Sequence, residues 1–123
     1  MTFCVPLEAA ILINRSLPNT SHAVTNLGQL ESALARPMHT FDGTLLYPTL
    51  IERAVALLHG VATAHAFFDG NKRTAWLCTT TYLDREGSPL QPIPALDVAD
   101  FVVDIVVGNV DQSNAALWLI DRT

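Results

Sequence analysis

Residues 48–87 read PTLIERAVALLHGVATAHAFFDGNKRTAWLCTTTYLDREG, and the fold is decided in this stretch. Leu50, Ile51, Ala54, Leu57, Leu58 and Val61 recur at the spacing of a single helix face, so a helix is predicted from Pro48 on towards His65. Ala66 to Gly70 interrupts the pattern. A second helix is predicted from about Asn71 to Glu86, with Gly87 at the C′ position and Pro89 beyond it. Two long helices therefore flank one short loop.

Upstream, Pro6 suits a first helical position, and Leu7, Ala10 and Ile11 fall on one face of a helix expected to end near Asn14. Residues 15–25 read as loop. Asn26, with Gln29 three places on, is placed to cap a second helix whose stripe is Leu27, Leu30 and Leu34, before Pro37 stops it. The turn signal Asp42-Gly43, between Phe41 and Leu45-Leu46, predicts a small hairpin or flap within Met38 to Tyr47.

Downstream, Leu96 to Val107 is rich in β-branched residues, yet Asp97, Asp100 and Asp104 recur at helical spacing and would scatter over both faces of a strand. A helix is the consistent reading, with the aspartates on its solvated side. Ser113 is expected to cap a last, largely buried helix running through Ile120. The fold class that follows is all-α, about six helices with one small β-hairpin flap. No repeat or linker divides residues 1–123, so a single domain is expected.

Composition bounds the function. Half of the 123 residues are hydrophobic and 15% are charged, which favours a packed core over disorder. Seven Lys+Arg against twelve Asp+Glu give a net charge of −5, the wrong sign for a phosphate-backbone binder, so no nucleic-acid partner is expected. No basic leader precedes the first apolar stretch and no run approaches the ~18 apolar residues of a bilayer span. The expected compartment is the cytoplasm, with no membrane partner. Cys4 and Cys78 are too few for a disulfide framework or zinc site and read as reduced thiols packed as small hydrophobes. Asn14-Arg15-Ser16 and Asn19-Thr20-Ser21 match the glycosylation pattern by chance and mark a polar loop.

The chemistry gathers in the loop His65-Ala66-Phe67-Phe68-Asp69-Gly70-Asn71-Lys72-Arg73-Thr74. Lys72 is the chain's only lysine, and it stands beside Arg73 where a helix begins, whose free N–H groups and dipole favour an anion. Gly70 allows close backbone approach, Asn71 can cap the helix or donate to a phosphate oxygen, and the two cations add charge. Asp69 would repel a bare phosphate but becomes useful where Mg²⁺ bridges it to phosphate oxygens, which favours a metal-bound triphosphate. His65 is placed to take a proton from an attacking hydroxyl, and Phe67 to plug the core beneath. Plainer readings stand beside these: Asp69-Gly70-Asn71 as a turn with an N-cap, His65 as a helix-end histidine, Lys72-Arg73 as solvated charge. No Walker A loop, zinc-protease motif or nucleophile elbow is present. His22, His39 and His59 have no partners at ligand spacing.

The same stretch resembles the signature of the Fic/Doc superfamily, broadly H-P-F-x-[DE]-G-N-G-R-x-x-R. His65, Phe67, Asp69, Gly70, Asn71 and Arg73 agree, while Ala66, Lys72 and Trp76 replace Pro, the second Gly and the last Arg. Lys72 and Thr74 are similar instead to the Doc (death-on-curing) branch, H-x-F-x-[DN]-[AG]-N-K-R-T. Leu30-Glu31-Ser32-Ala33-Leu34-Ala35-Arg36-Pro37 and Asp42-Gly43 followed by Leu46-Tyr47-Pro48 also look like the upstream Doc sequence.

The resemblance implies a compact Fic/Doc-type helical bundle. It also implies a toxin that uses ATP and Mg²⁺ to transfer the γ-phosphate to a Thr/Ser hydroxyl of translation elongation factor Tu. Carried over, His65 is the base, Asp69 the Mg²⁺ carboxylate, and Gly70, Asn71, Lys72 and Arg73 the phosphate clamp, with Phe67 structural. The flap residues Asp42, Gly43, Thr44 and Leu45 would dock an extended target segment. A Phd-like antitoxin whose tail folds on the toxin is the implied partner. AMP transfer of the Fic type, or a catalytically silent antitoxin-binding module, are the alternatives.

Overall fold

The computed structural model describes residues 4–123. Six helices surround one core: α1 (Leu7–Ser16), α2 (Leu27–Ala35), α3 (Leu50–Thr63), α4 (Asn71–Arg85), α5 (Ala95–Val107) and α6 (Gln112–Ile120). α2 stops at Ala35, and a 3₁₀ turn, Arg36–Met38, carries Pro37, which cannot continue the helix. It leads into the hairpin β1 (Thr40–Phe41) and β2 (Thr44–Leu45), the all-α-plus-flap pattern read from the sequence. None of these helices is long and apolar enough to cross a membrane.

α3 is the central element. Of its expected stripe it buries Ala54, Leu57, Leu58 and Val61, with Leu50 and Ile51 half-buried, and it also buries Val55, Ala56, Gly60 and Ala62, because α2, the 3₁₀ turn, α4, α5 and α6 all pack on it. Thr49, not Pro48, makes the entry: its hydroxyl accepts from the Glu52 N–H at 3.2 Å and donates to Glu52 Oε1 at 2.9 Å. α2 begins as read, Asn26 Oδ1 accepting the Gln29 N–H at 3.1 Å. α4 ends in a Schellman motif, Ser88 N–H reaching Leu83 O at 2.9 Å and Gly87 N–H reaching Asp84 O at 3.2 Å. Gly87 holds φ +82°, which an L side chain would resist. The hairpin closes on Asp42 (φ +52°) and Gly43 (φ +79°), the two left-handed residues of a type I′ turn, with Thr40 opposite Leu45 and Phe41 opposite Thr44.

Several expectations need correction. Pro6 is the N-cap of α1, not its first residue, and the helix runs on to Ser16. Asn14 is fully buried inside it rather than marking a polar loop. Asp111, not Ser113, caps α6, accepting the Asn114 N–H at 2.8 Å one residue before the helix starts. That helix is not largely buried: only Ala115 and Leu119 lie inside, while Leu117 and Ile120 are exposed, because one face leans on the core and no described residue covers the other. Cys78 is packed in the core but Cys4 is exposed. Asp97 and Asp100 face solvent as expected, and Asp104 is half-buried.

The last two helices are held by an aromatic box. Phe101 and Trp118 stack at 3.8 Å with planes 6° apart, Trp76 of α4 meets both edge-on at 6.4 and 6.2 Å, and the Arg122 guanidinium lies 3.7 Å over Trp118.

Candidate functional site

α3 stops at Thr63, and the chain must reverse within seven residues to start α4 at Asn71. The reversal begins at His65, which holds φ +51°, a left-handed conformation costing a non-glycine residue about 1–3 kcal/mol. Ala66 and Phe67 then turn inward and are buried, Phe67 as the expected plug, while Phe68 and Asp69 face out. The α1–α2 connector runs alongside as a strand-like brace. Val24 pairs antiparallel with Phe67, and Phe68 N–H donates to Ala23 O at 2.9 Å. The Ala66 carbonyl accepts from the Thr25 and Asn26 N–H groups at 2.7 and 3.1 Å. The Thr25 hydroxyl reaches both His65 O at 3.1 Å and Ala66 O at 3.2 Å.

Inside the loop, Asn71 folds its amide back on Phe67, accepting the N–H at 3.1 Å and donating to the carbonyl at 2.9 Å. It neither caps the helix nor leaves its side chain for a phosphate. The N-cap is Gly70, at φ +75°. A Cβ there would stand 2.8 Å from Leu17 Cδ1 and 3.2 Å from Asn14 Nδ2, so glycine is required by conformation and by space. Asp69 Oδ1 accepts the Gly70 N–H at 2.8 Å.

The result is a helix start without a side-chain cap. Among the described residues, the N–H groups of Asn71, Lys72 and Arg73 take no hydrogen bond, and the first in-register bond is Thr74 N–H to Gly70 O at 2.9 Å. The side chains of Lys72 and Arg73 are exposed and make neither hydrogen bond nor ion pair there. Three free donors, a dipole end and two unpaired cations gather at one helix start of an acidic protein.

For a metal, the donor set decides what fits. No group of three His, Cys, Asp or Glu converges among the described residues, so a resident all-protein site is not built. Asp69 offers one carboxylate oxygen beside the patch. That suits Mg²⁺, which keeps several waters and is commonly held by one or two carboxylates plus substrate phosphates.

The hairpin residues Asp42, Gly43, Thr44 and Leu45 form their turn, and no hydrogen bond joins them to the loop among the described residues. Two cavities, of about 370 and 250 Å³, have no residue of 65–74 in their lining, the smaller reaching Thr63 and Ala64 just before the loop. Arg36 lines both, and its Nη1 donates to His59 Nδ1 at 3.3 Å. Partial burial, then Arg36, push the His59 pKa below its usual value.

Two residues at the site escape a reading of the motif alone. Asn14, on the buried face of α1, donates through Nδ2 to Asp69 O at 3.0 Å and to Thr74 Oγ1 at 3.1 Å, while its Oδ1 is buried with no partner among the described residues. Its signal was there: it continues the Leu7, Ala10, Ile11 stripe, where an amide has to find partners. Thr25 carried none, standing in a stretch that reads as loop.

The profile of the Fic/DOC family matches residues 7–83. The chain belongs to the Fic/DOC family. Toxin Doc of Mycolicibacterium smegmatis (strain ATCC 700084 / mc(2)155) is 44% identical over 81 residues, which are 66% of this chain and 57% of that protein. The likeness to a Doc protein agrees with Lys72 and Thr74, and the region matched by the family ends before the last two helices. In Fic/DOC terms, Trp76 replaces an arginine of the broad signature and serves the aromatic box instead.

Proposed function

We propose that this Fic/DOC protein is a Doc-type toxin. It uses ATP to phosphorylate a Thr/Ser hydroxyl of elongation factor Tu, and a Phd-like antitoxin restrains it. The observation that carries the reading is the start of α4, where the chain's only lysine stands exposed beside three unpaired N–H groups. Helices α1 and α5 also start without a side-chain cap, and what sets α4 apart is the pair of exposed cations beside donors that phosphate oxygens would satisfy. The name of the 44% identical relative supports the toxin assignment.

In this reading the Asn71, Lys72 and Arg73 N–H groups and both cations hold the phosphates. Asn71 contributes its backbone, since its amide is committed to Phe67. Mg²⁺, when bound, neutralises phosphate charge, and Asp69 is the side chain that would hold it. The acceptor hydroxyl gives its proton to the His65 imidazole as its oxygen bonds to the γ-phosphorus. The bond from that phosphorus to the β–γ bridging oxygen breaks, and ADP leaves. Lys72 and Arg73 stabilise the charge on the transferred group. The exposed hairpin edge is the surface proposed to take an extended target segment.

The test is incubation with elongation factor Tu and ATP labelled at either the α or the γ phosphorus. Label from the γ position on the target is expected. Label from the α position would replace phosphate transfer with AMP transfer, and none from either would leave a silent antitoxin-binding module. Lys72→Ala should reduce transfer by about 10²-fold or more and relieve growth arrest. Its Tm should barely move, because the side chain has no partner to lose.

A further inference from the structure

Resting on the proposed phosphotransfer, we infer that two residues outside the motif divide its positioning between them: Thr25 sets the base, and Asn14 sets the phosphate cradle. His65 sits in a conformation its own chemistry disfavours, so something must hold it there. The holder on the structure is Thr25, whose hydroxyl spans the His65 and Ala66 carbonyls while its own N–H pins Ala66 O at 2.7 Å. These bonds fix the peptide on the C-terminal side of His65 and hence the direction in which the imidazole leaves the chain.

On the other side, Asn14 of α1 bonds both sides of the helix start, Asp69 O before it and Thr74 Oγ1 after it. Its Oδ1 is buried with no partner among the described residues, so Nδ2 is the end of the amide that bonds there. Its Nδ2 also lies where a Cβ on Gly70 would crowd it, so the carbonyl of Asp69 and the φ of Gly70 are set against one amide. Neither residue touches the reactants. Thr25 acts through His65, and Asn14 acts through the direction of the N–H groups at Asn71 to Arg73.

The two roles separate in kinetics. With elongation factor Tu as acceptor, Thr25→Val, which replaces the hydroxyl by a methyl group, is expected to lower kcat at least tenfold while the KM for ATP stays within twofold. Thr25→Ser, which restores a hydroxyl, should recover most of the rate. Asn14→Leu should raise the KM for ATP at least tenfold with a smaller change in kcat. Loss confined to Tm, kcat and KM moving together in both variants, or no rescue by serine would overturn the division. A readout independent of activity is titration with inorganic triphosphate, followed by NMR at the Asn71–Arg73 amides. Asn14→Leu should weaken binding at least tenfold and Thr25→Val should not. If the wild type binds triphosphate but labels no target, the functional reading fails and this titration still decides the cradle half. The base half is then decided by the His65 ring resonances, which Thr25→Val should shift and Thr25→Ser restore; unchanged resonances would overturn it.

Discussion

Lys72 and Trp76 stand one helical turn apart on α4, and between them they show how the chain departs from the broad Fic signature. Lysine adds an exposed charge at the helix start, while tryptophan turns a position associated with arginine into packing against Phe101 and Trp118. Charge and packing are thereby separated along one helix. Cys78, one half-turn further, shows the effect of depth: burial pushes its thiol up to about 12. A thiol-specific disulfide reagent at pH 8 should therefore react with the exposed Cys4 in the native protein and reach Cys78 only on unfolding. His59 gives a pH dependence with a definite sign. Its folded-state pKa lies below the unfolded value near 6.5, so the folded protein binds fewer protons between the two. Stability held above pH 6.5 is lost as the pH falls towards the lowered pKa, and Tm should drop less for His59→Gln than for wild type between pH 7 and 5.5.

Elements explain what was legible in the chain and what was not. The helices α2, α3 and α4, the Asp42-Gly43 turn and the Gly87 stop follow from local rules, because cap, stripe and left-handed residue lie within a few positions of one another. The motif residues were legible for the same reason. Local rules failed where a distant neighbour decides. Asn14 reads as a helix end until α1 is packed against the α4 entry 55 residues away, and Asn71 reads as a cap until its amide is seen to be spent on Phe67. Solvent on the outer face of α6 likewise depends on what fails to cover it, which periodicity does not record. Two glycines offer the sharpest test at this scale. Gly70→Ala should destabilise by about 3 kcal/mol, combining a left-handed backbone with a 2.8 Å clash against Leu17. Gly43→Ala meets nothing within 4 Å and should cost about 1 kcal/mol, from backbone alone. Equal effects in chemical denaturation would show that crowding at Gly70 is relieved by movement of α1.

At the scale of the molecule, α3 is the common support, and the aromatic box is what ties α5 and α6 to the α4 that carries the motif. The box joins three helices through stacked rings and one cation, so its removal should be felt as global stability rather than as local loosening. Trp118→Ala should cost about 3 kcal/mol in denaturant unfolding, with the loop 65–74 keeping its geometry in the fraction that stays folded. The loop is indifferent to that end of the protein because its restraints come from the other one.

That origin of the restraints has a consequence for transplantation. A helix pair carrying only residues 48–87, grafted into a foreign scaffold, would keep every signature letter and lose both the amide of Asn14 and the hydroxyl of Thr25. A recipient would have to import the stretch from Leu7 onward before the borrowed letters regained their meaning.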